Sequence, residues 1–228
     1  KLLLGTFIFF LVSLIMLVLV LSSIGVETNR FNNFISNKIY QSNNNINLQL
    51  NTIKFKINLR NFSMFLETTN SELKYRNIEI PVKNIKVFSD IKSLLSIEPK
   101  IKKIDIDLEK VDINQLKLIS RTFKPSNLNS FINNKIYDGT LDLKLQIFLD
   151  ENNEINDFIL KGKATNLNTK LTKIIYLKNT NFSFFSDKSD ILIQKFSGKG
   201  NFFEISEGDL KIKLSEDIQI ESNFKSKI

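Results

Sequence analysis

Residues 53–59 read Ile-Lys-Phe-Lys-Ile-Asn-Leu, apolar at every odd position and polar at every even one. Ile104, Ile106 and Leu108 alternate with Asp105 and Asp107. Leu141, Leu143, Leu145, Ile147 and Leu149 alternate across a further stretch in which only Phe148 breaks the pattern. Leu210, Ile212 and Leu214 repeat the arrangement, with Ile218 and Ile220 following. Successive side chains of a strand point to opposite faces. A period of two over this many segments therefore restricts the chain to antiparallel sheet with one dry and one wet face. The fold class expected is mainly β with a few short helices (α+β), built as a long, curved antiparallel sheet with one apolar face. Phe55, Ile57, Leu59, Ile104, Ile106, Leu143, Leu145 and Ile147 are the residues expected on that face.

Helical spacing occurs in only a few places. Phe31, Phe34, Ile35 and Ile39 predict a short helix with Thr28 or Asn29 as N-cap. Asp90 is positioned to cap a short helix through Leu94 and Leu95, stopped ahead of Pro99. Asp112 or Asn114 can cap a helix over Gln115–Phe123, with Leu116, Ile119 and Phe123 on one side. After Pro125, Ser126 or Asn127 starts another through Leu128, Phe131 and Ile132. Asp150-Glu151-Asn152-Asn153 is turn chemistry, so 141–163 reads as a hairpin.

The first segment belongs to a different solvent. Residues 2–26 carry no charge, and 19 of these 25 are Leu, Ile, Val, Phe or Met. A hydrocarbon core of ~30 Å is crossed by about 20 helical residues, so residues 1–26 read as a transmembrane anchor. Ser23-Ile24-Gly25 offers a small-x-small cleavage pattern, but the apolar run outlasts the ~7–15 residues of a signal peptide's core. Length therefore favours an uncleaved anchor. Residues 27–228 contain no Gly/Pro-rich hinge and read as one β-rich domain. With Lys1 at the front and a strand-like stretch at the end, the chain reads as part of a longer protein.

Composition removes much chemistry. The chain has no His, no Cys and no Trp. Disulfides, thiol nucleophiles, a histidine base and Cys/His zinc sites are thereby excluded. Carboxylate metal sites and Ser–Lys chemistry remain conceivable, but their candidates are weak. Asp105 and Asp107 fall on the wet face of a strand, beside Glu109 and Asp112 and among Lys100, Lys102, Lys103 and Lys110; they lack the spacing of a calcium loop. Asp187, Lys188 and Asp190 sit in turn chemistry. Ser63 and Ser183 have no base near them in sequence, and Gly198-Lys199-Gly200 lacks the helix of a phosphate loop. The expectation is a protein without enzymatic activity, cofactor or metal. The net charge is +8, but all except four of the 32 basic residues are Lys, in a chain dominated by Ile, Lys and Asn, whose codons are A/T-rich. That pattern reflects genome composition, and no basic patch with stacking aromatics emerges, so no nucleic-acid partner is expected.

The apolar faces remain. One reading has the short helices covering them as an ordinary core. The other leaves a trough, since 141–149 alone spans about 30 Å at ~3.3 Å per residue, more than such helices cover. Withdrawing an acyl chain from a bilayer costs ~0.8 kcal/mol per CH₂ exposed to water, so a lipid carrier needs a continuous dry surface. Sequence leaves these two alternatives open.

Several segments together resemble the N-terminal part of AsmA-like proteins, the bacterial envelope group related to TamB and YhdP. The resemblance lies in the single N-terminal span and the segment Glu27-Thr28-Asn29-Arg30-Phe31-Asn32 after it. It continues through Ile85-Lys86-Val87-Phe88-Ser89-Asp90-Ile91-Lys92-Ser93-Leu94-Leu95 and Pro99-Lys100-Ile101-Lys102-Lys103-Ile104-Asp105-Ile106. It extends to the stretches around Asp138-Gly139-Thr140-Leu141 and Lys161-Gly162-Lys163-Ala164. It is a likeness of pattern, without catalytic motif residues, to proteins usually much longer. What it implies is a single-pass protein of the bacterial inner membrane, anchored through residues 2–26, whose periplasmic body presents a β-sheet groove. Phospholipid would be the partner, in envelope lipid homeostasis and outer-membrane biogenesis. The alternatives are an anchored scaffold or assembly factor for outer-membrane proteins that binds envelope proteins through its sheet edges, and an LptC-like lipopolysaccharide-export component.

Overall fold

The computed structural model describes residues 2–29, 32–42, 44–60, 63–69, 71–90, 100–122, 124–152, 154–214 and 218–227. The chain starts with α1 (Leu2–Ser23), an unbroken apolar helix of 22 residues. At 1.5 Å per residue it is about 33 Å long, enough to cross a bilayer's hydrocarbon core. None of its apolar stretch is buried against the rest of the protein. The helix is shorter than the uncharged run that predicts it, because Gly25 adopts φ +79° and closes it. The amides of Ile24 and Gly25 both donate to the Val20 carbonyl at 2.9 Å. Such a left-handed residue is the common way to satisfy a helix's last carbonyls. Val26, expected at the end of the anchor, already belongs to β1 (Val26–Thr28).

The body is almost entirely sheet. After α2 (Asn32–Ser42) come β2 (Ile46–Gln49), β3 (Ile53–Asn58), β4 (Ser63–Thr69), β5 (Glu72–Tyr75), β6 (Ile78–Asp90), β7 (Ile101–Leu108) and β8 (Val111–Asp112). Two helices follow, α3 (Ile113–Ser120) and α4 (Asn127–Lys135). The chain then meanders through β9 (Ile136–Leu149), β10 (Ile155–Lys170), β11 (Tyr176–Ser186), β12 (Asp190–Gly200), β13 (Glu204–Lys213) and β14 (Gln219–Lys227). The strands pair in the order β1-β3-β4-β6-β7-β9-β10-β11-β12-β13-β14, antiparallel at each of these steps. At ~4.8 Å per strand that path is about 50 Å wide.

β6 explains how the sheet begins to close. Its second half pairs with β4 and its first half with β5, which in turn pairs with β2. This second layer and α2 turn onto the apolar face of the main sheet. Leu48, Val82 and Ile85 form a buried cluster there, joined by Ile39, Leu73, Val87, Ile104 and Ile106. A second cluster forms where α3 and α4 dock on β9 and β10: Ile113, Ile136, Ala164 and Leu167, with Leu116, Ile132, Leu141 and Phe182 against them. Between and beyond the two clusters the sheet stays open. The chain's accessible surface is 16046 Å². A compact monomer of its 26.4 kDa would expose about 10,600 Å². The naked α1 and the uncovered sheet both contribute to the excess.

Three of the expected short helices are found, α2, α3 and α4. Asp112 rather than Asn114 caps α3, its carboxylate accepting from the amides of Asn114 (2.8 Å) and Gln115 (2.9 Å). Ser126 rather than Asn127 caps α4, accepting from the Asn129 amide at 3.1 Å. α2 is described from Asn32, whose amide donates to the Asn29 carbonyl at 3.2 Å, while Thr28 is held in β1 against Ile53. The short helix expected after Asp90 and the position of Phe123 lie outside the described residues. Losing both cap bonds, Asp112→Ala should lower stability by about 1 kcal/mol, read as a shift in the urea midpoint. The expected hairpin forms from β9 and β10, with Asp150 accepting from the amides of Asn152 and Glu154.

Candidate functional site

Cross-strand partners share a face, so the pairing register shows how far the apolar face extends. One row runs Val26–Phe55–Leu66–Val87–Ile104–Ile147–Phe158. The next contains Ile85–Ile106–Leu145–Leu160. A third runs Leu143–Gly162–Phe184–Ile193–Leu210. Ile57 pairs with Met64. Phe55, Ile57, Ile104, Ile106, Leu143, Leu145 and Ile147 therefore stand on one surface, each half-buried. Leu59 does not: β3 ends at Asn58, and Leu59 lies in the following turn, 41% exposed. The alternation that suggested it outruns the strand by one residue.

Cover over this face is uneven. Ile104 and Ile106 meet the β2–β5 layer, and Leu141 and Ala164 lie under α3 and α4. Leu143, Leu145, Ile147, Phe158, Leu160, Phe184, Ile193 and Leu210 belong to neither buried cluster and keep partial exposure. Gly162 fits here because the Phe184 ring occupies the space over it; a β-carbon would lie 2.4 Å from that ring.

Sequence reasoning missed the continuation of this face across β10–β12, for a local reason. Asn166, Asn179 and Lys195 take positive φ, and the registers of β9–β10, β10–β11 and β11–β12 slip beside them. Each bulge adds one residue to a strand and moves later apolar positions to the opposite parity. The surviving signal is shorter alternation beside a bulge, as in Phe182-Ser183-Phe184 after Asn179.

The reverse face is charged and largely self-paired. Its central row runs Glu27–Lys54–Glu67–Lys86–Asp105–Gln146, alternating in sign up to the amide. Glu67 is its hub, bonded to Lys56 at 2.7 Å, Lys86 at 3.2 Å and the Asn84 amide at 2.9 Å. Partial burial works to raise its pKa, but the bonds from Lys56, Asn84 and Lys86 together outweigh that and hold it down at about 2. Asp105 is engaged by Lys103 (2.9 Å) and Gln146 (3.0 Å), and Asp107 by Lys144 (3.7 Å). These carboxylates serve as cross-strand partners. Asp187 closes a turn through the amides of Ser189 and Asp190, and those bonds lower its pKa. The face also carries a stacked Phe65–Phe88 pair (5.2 Å) with the Lys103 ammonium 4.1 Å from the Phe88 ring centre. Phe148, which breaks the alternation of β9, pairs with Lys103 at the edge of this patch.

The site thus consists of an extended, partly covered apolar surface that starts one strand from α1, backed by a neutralised charge ladder. Comparison with protein-family models, curated proteins and solved structures finds no match to this chain.

Proposed function

We propose that the protein is a non-catalytic, membrane-anchored lipid-holding protein of AsmA-like type, with α1 in the inner membrane and the sheet in the periplasm. The apolar face accommodates phospholipid acyl chains, in service of envelope lipid homeostasis. The observation that carries this reading is the run of apolar rows past the elements that cover them. A sheet needed only as a core would be covered more fully, since each half-exposed apolar side chain forgoes part of the about 1.5–3 kcal/mol that full burial contributes. A continuous apolar surface of this extent is what an acyl chain outside the bilayer requires.

The test uses the full chain, extracted in mild detergent, with bound phospholipid quantified after delipidating washes. Leu145→Asp should sharply reduce retained lipid, because Leu145 sits between Ile106 and Leu160 on the apolar face. Lys144→Asp, one residue away on the charged face, should retain the wild-type amount. Lipid clinging to α1 is common to both variants, so the difference isolates the sheet. Equal retention in the two would remove the reading.

One feature favours a second reading, that of a scaffold. Every residue of β14 is exposed, including Ile220 and Phe224. Its outer edge offers the unpaired backbone groups that strand addition uses. A stoichiometric protein partner lost on Asn223→Pro, with lipid absent, would favour that reading.

A further inference from the structure

The junction between α1 and the sheet leaves no room for a linker. Gly25 is buried, and a β-carbon on it would lie 2.8 Å from the Phe55 carbonyl oxygen and from the Lys56 side chain. The Ser23 hydroxyl donates to the Leu19 carbonyl at 2.7 Å, and Val26 pairs directly with Phe55. β3 is antiparallel to β1, so its C-terminal end runs back toward the helix. α1 packs against β3. Among the described side chains of α1, only Val18, Leu21 and Ser22 are half-buried. They lie on its last two turns, where β3 passes.

Position along the helix converts to depth in a bilayer. The apolar run of α1 ends at the polar pair Ser22-Ser23, with the first charge following at Glu27, which places that end at the boundary with the headgroups. The residues just beyond β3 then lie at the same level. They are Leu59 and Arg60, both exposed, with the Arg60 amide donating to the Asn58 side-chain oxygen at 3.0 Å and shaping the turn. An apolar side chain next to a guanidinium suits that depth: Leu reaches the acyl boundary and Arg binds phosphate with its planar fork. Lys56, the preceding cation of β3, is already held by Glu67.

We propose that the turn after β3, through Leu59 and Arg60, is a second membrane contact that enters the headgroup layer of the bilayer beside α1. The inference rests on α1 being a membrane span. Two contacts fix orientation as one cannot: with both in place the sheet stands with the Phe55–Ile57 end of its apolar face at the bilayer surface, unable to swivel about the helix.

The native chain has no cysteine, so single-cysteine probes are clean. L59C, E79C and V12C, each on the full chain and carrying an environment-sensitive fluorophore, are reconstituted into phosphatidylcholine–phosphatidylglycerol vesicles containing a lipid-borne nitroxide quencher. Glu79 is exposed at the opposite end of β6 and serves as the aqueous control, while Val12 reports on the middle of α1. The expected result is quenching at position 59 roughly threefold greater than at 79, as for a residue inside the interfacial layer. Strong quenching at 12 with equal, weak quenching at 59 and 79 would overturn the second contact and leave the span intact. Weak quenching at 12 would overturn the span and the inference with it.

Discussion

Ile113→Asp is expected to cost about 5 kcal/mol, whereas Leu118→Asp, five residues along the same helix, should change stability by under about 0.5 kcal/mol. Both residues are apolar and both lie in α3. Ile113 is 2% exposed and belongs to the cluster with Ile136, Ala164 and Leu167, while Leu118 is 49% exposed. The substitution forgoes roughly 1.5–3 kcal/mol of apolar burial. It also places a carboxylate without a partner where several kcal/mol of desolvation fall due. The N-terminal end of a helix favours a negative charge by about 0.3–1 kcal/mol, too little to offset this. α3 should therefore leave the sheet and expose Leu141 and Ala164. Urea unfolding of each variant, followed by circular dichroism in one detergent, makes the comparison. Midpoints that move equally would mean that α3 is not seated through Ile113.

Acid should weaken the fold through Glu67. Its pKa falls from the ordinary 4.5 to about 2 in the folded protein. A carboxyl depressed by folding contributes its full stabilisation above the unfolded value, and loses it as pH drops through the folded one. With allowance for partial solvation, the contribution is roughly 2–3 kcal/mol at neutral pH, disappearing between about pH 4.5 and 2. Glu67→Gln should be less stable at pH 7, because Lys56 and Lys86 lose their shared counter-charge. Its stability should also be flatter than wild type across that acid window. Parallel pH profiles for the two proteins would show that the ladder around Glu67 contributes nothing in solution.

Both predictions depend on elements whose local form is legible and whose placement is not. The strand at 53–58, the faces of β7 and β9, the hairpin after Leu149 and the caps Asp112 and Ser126 follow from chemistry within a few residues. Pleat alternation, turn side chains and capping oxygens all act over that range. The long apolar helix is legible for the same reason, since a charge-free run of that length has few alternatives. Leu59 shows the limit, because alternation sets a face but does not say where pairing stops.

Only the tertiary structure decided that β6 divides its pairing between β4 and β5, and that the β2–β5 layer turns onto Ile85 and Ile106. It also decided that α3 and α4 cover Ala164 and Leu167 but leave Leu145 and Leu160 outside the buried clusters. These outcomes join residues tens of positions apart in the chain. A period of two names the dry side of every strand, but covering that side depends on which distant segments have apolar surface left to bury.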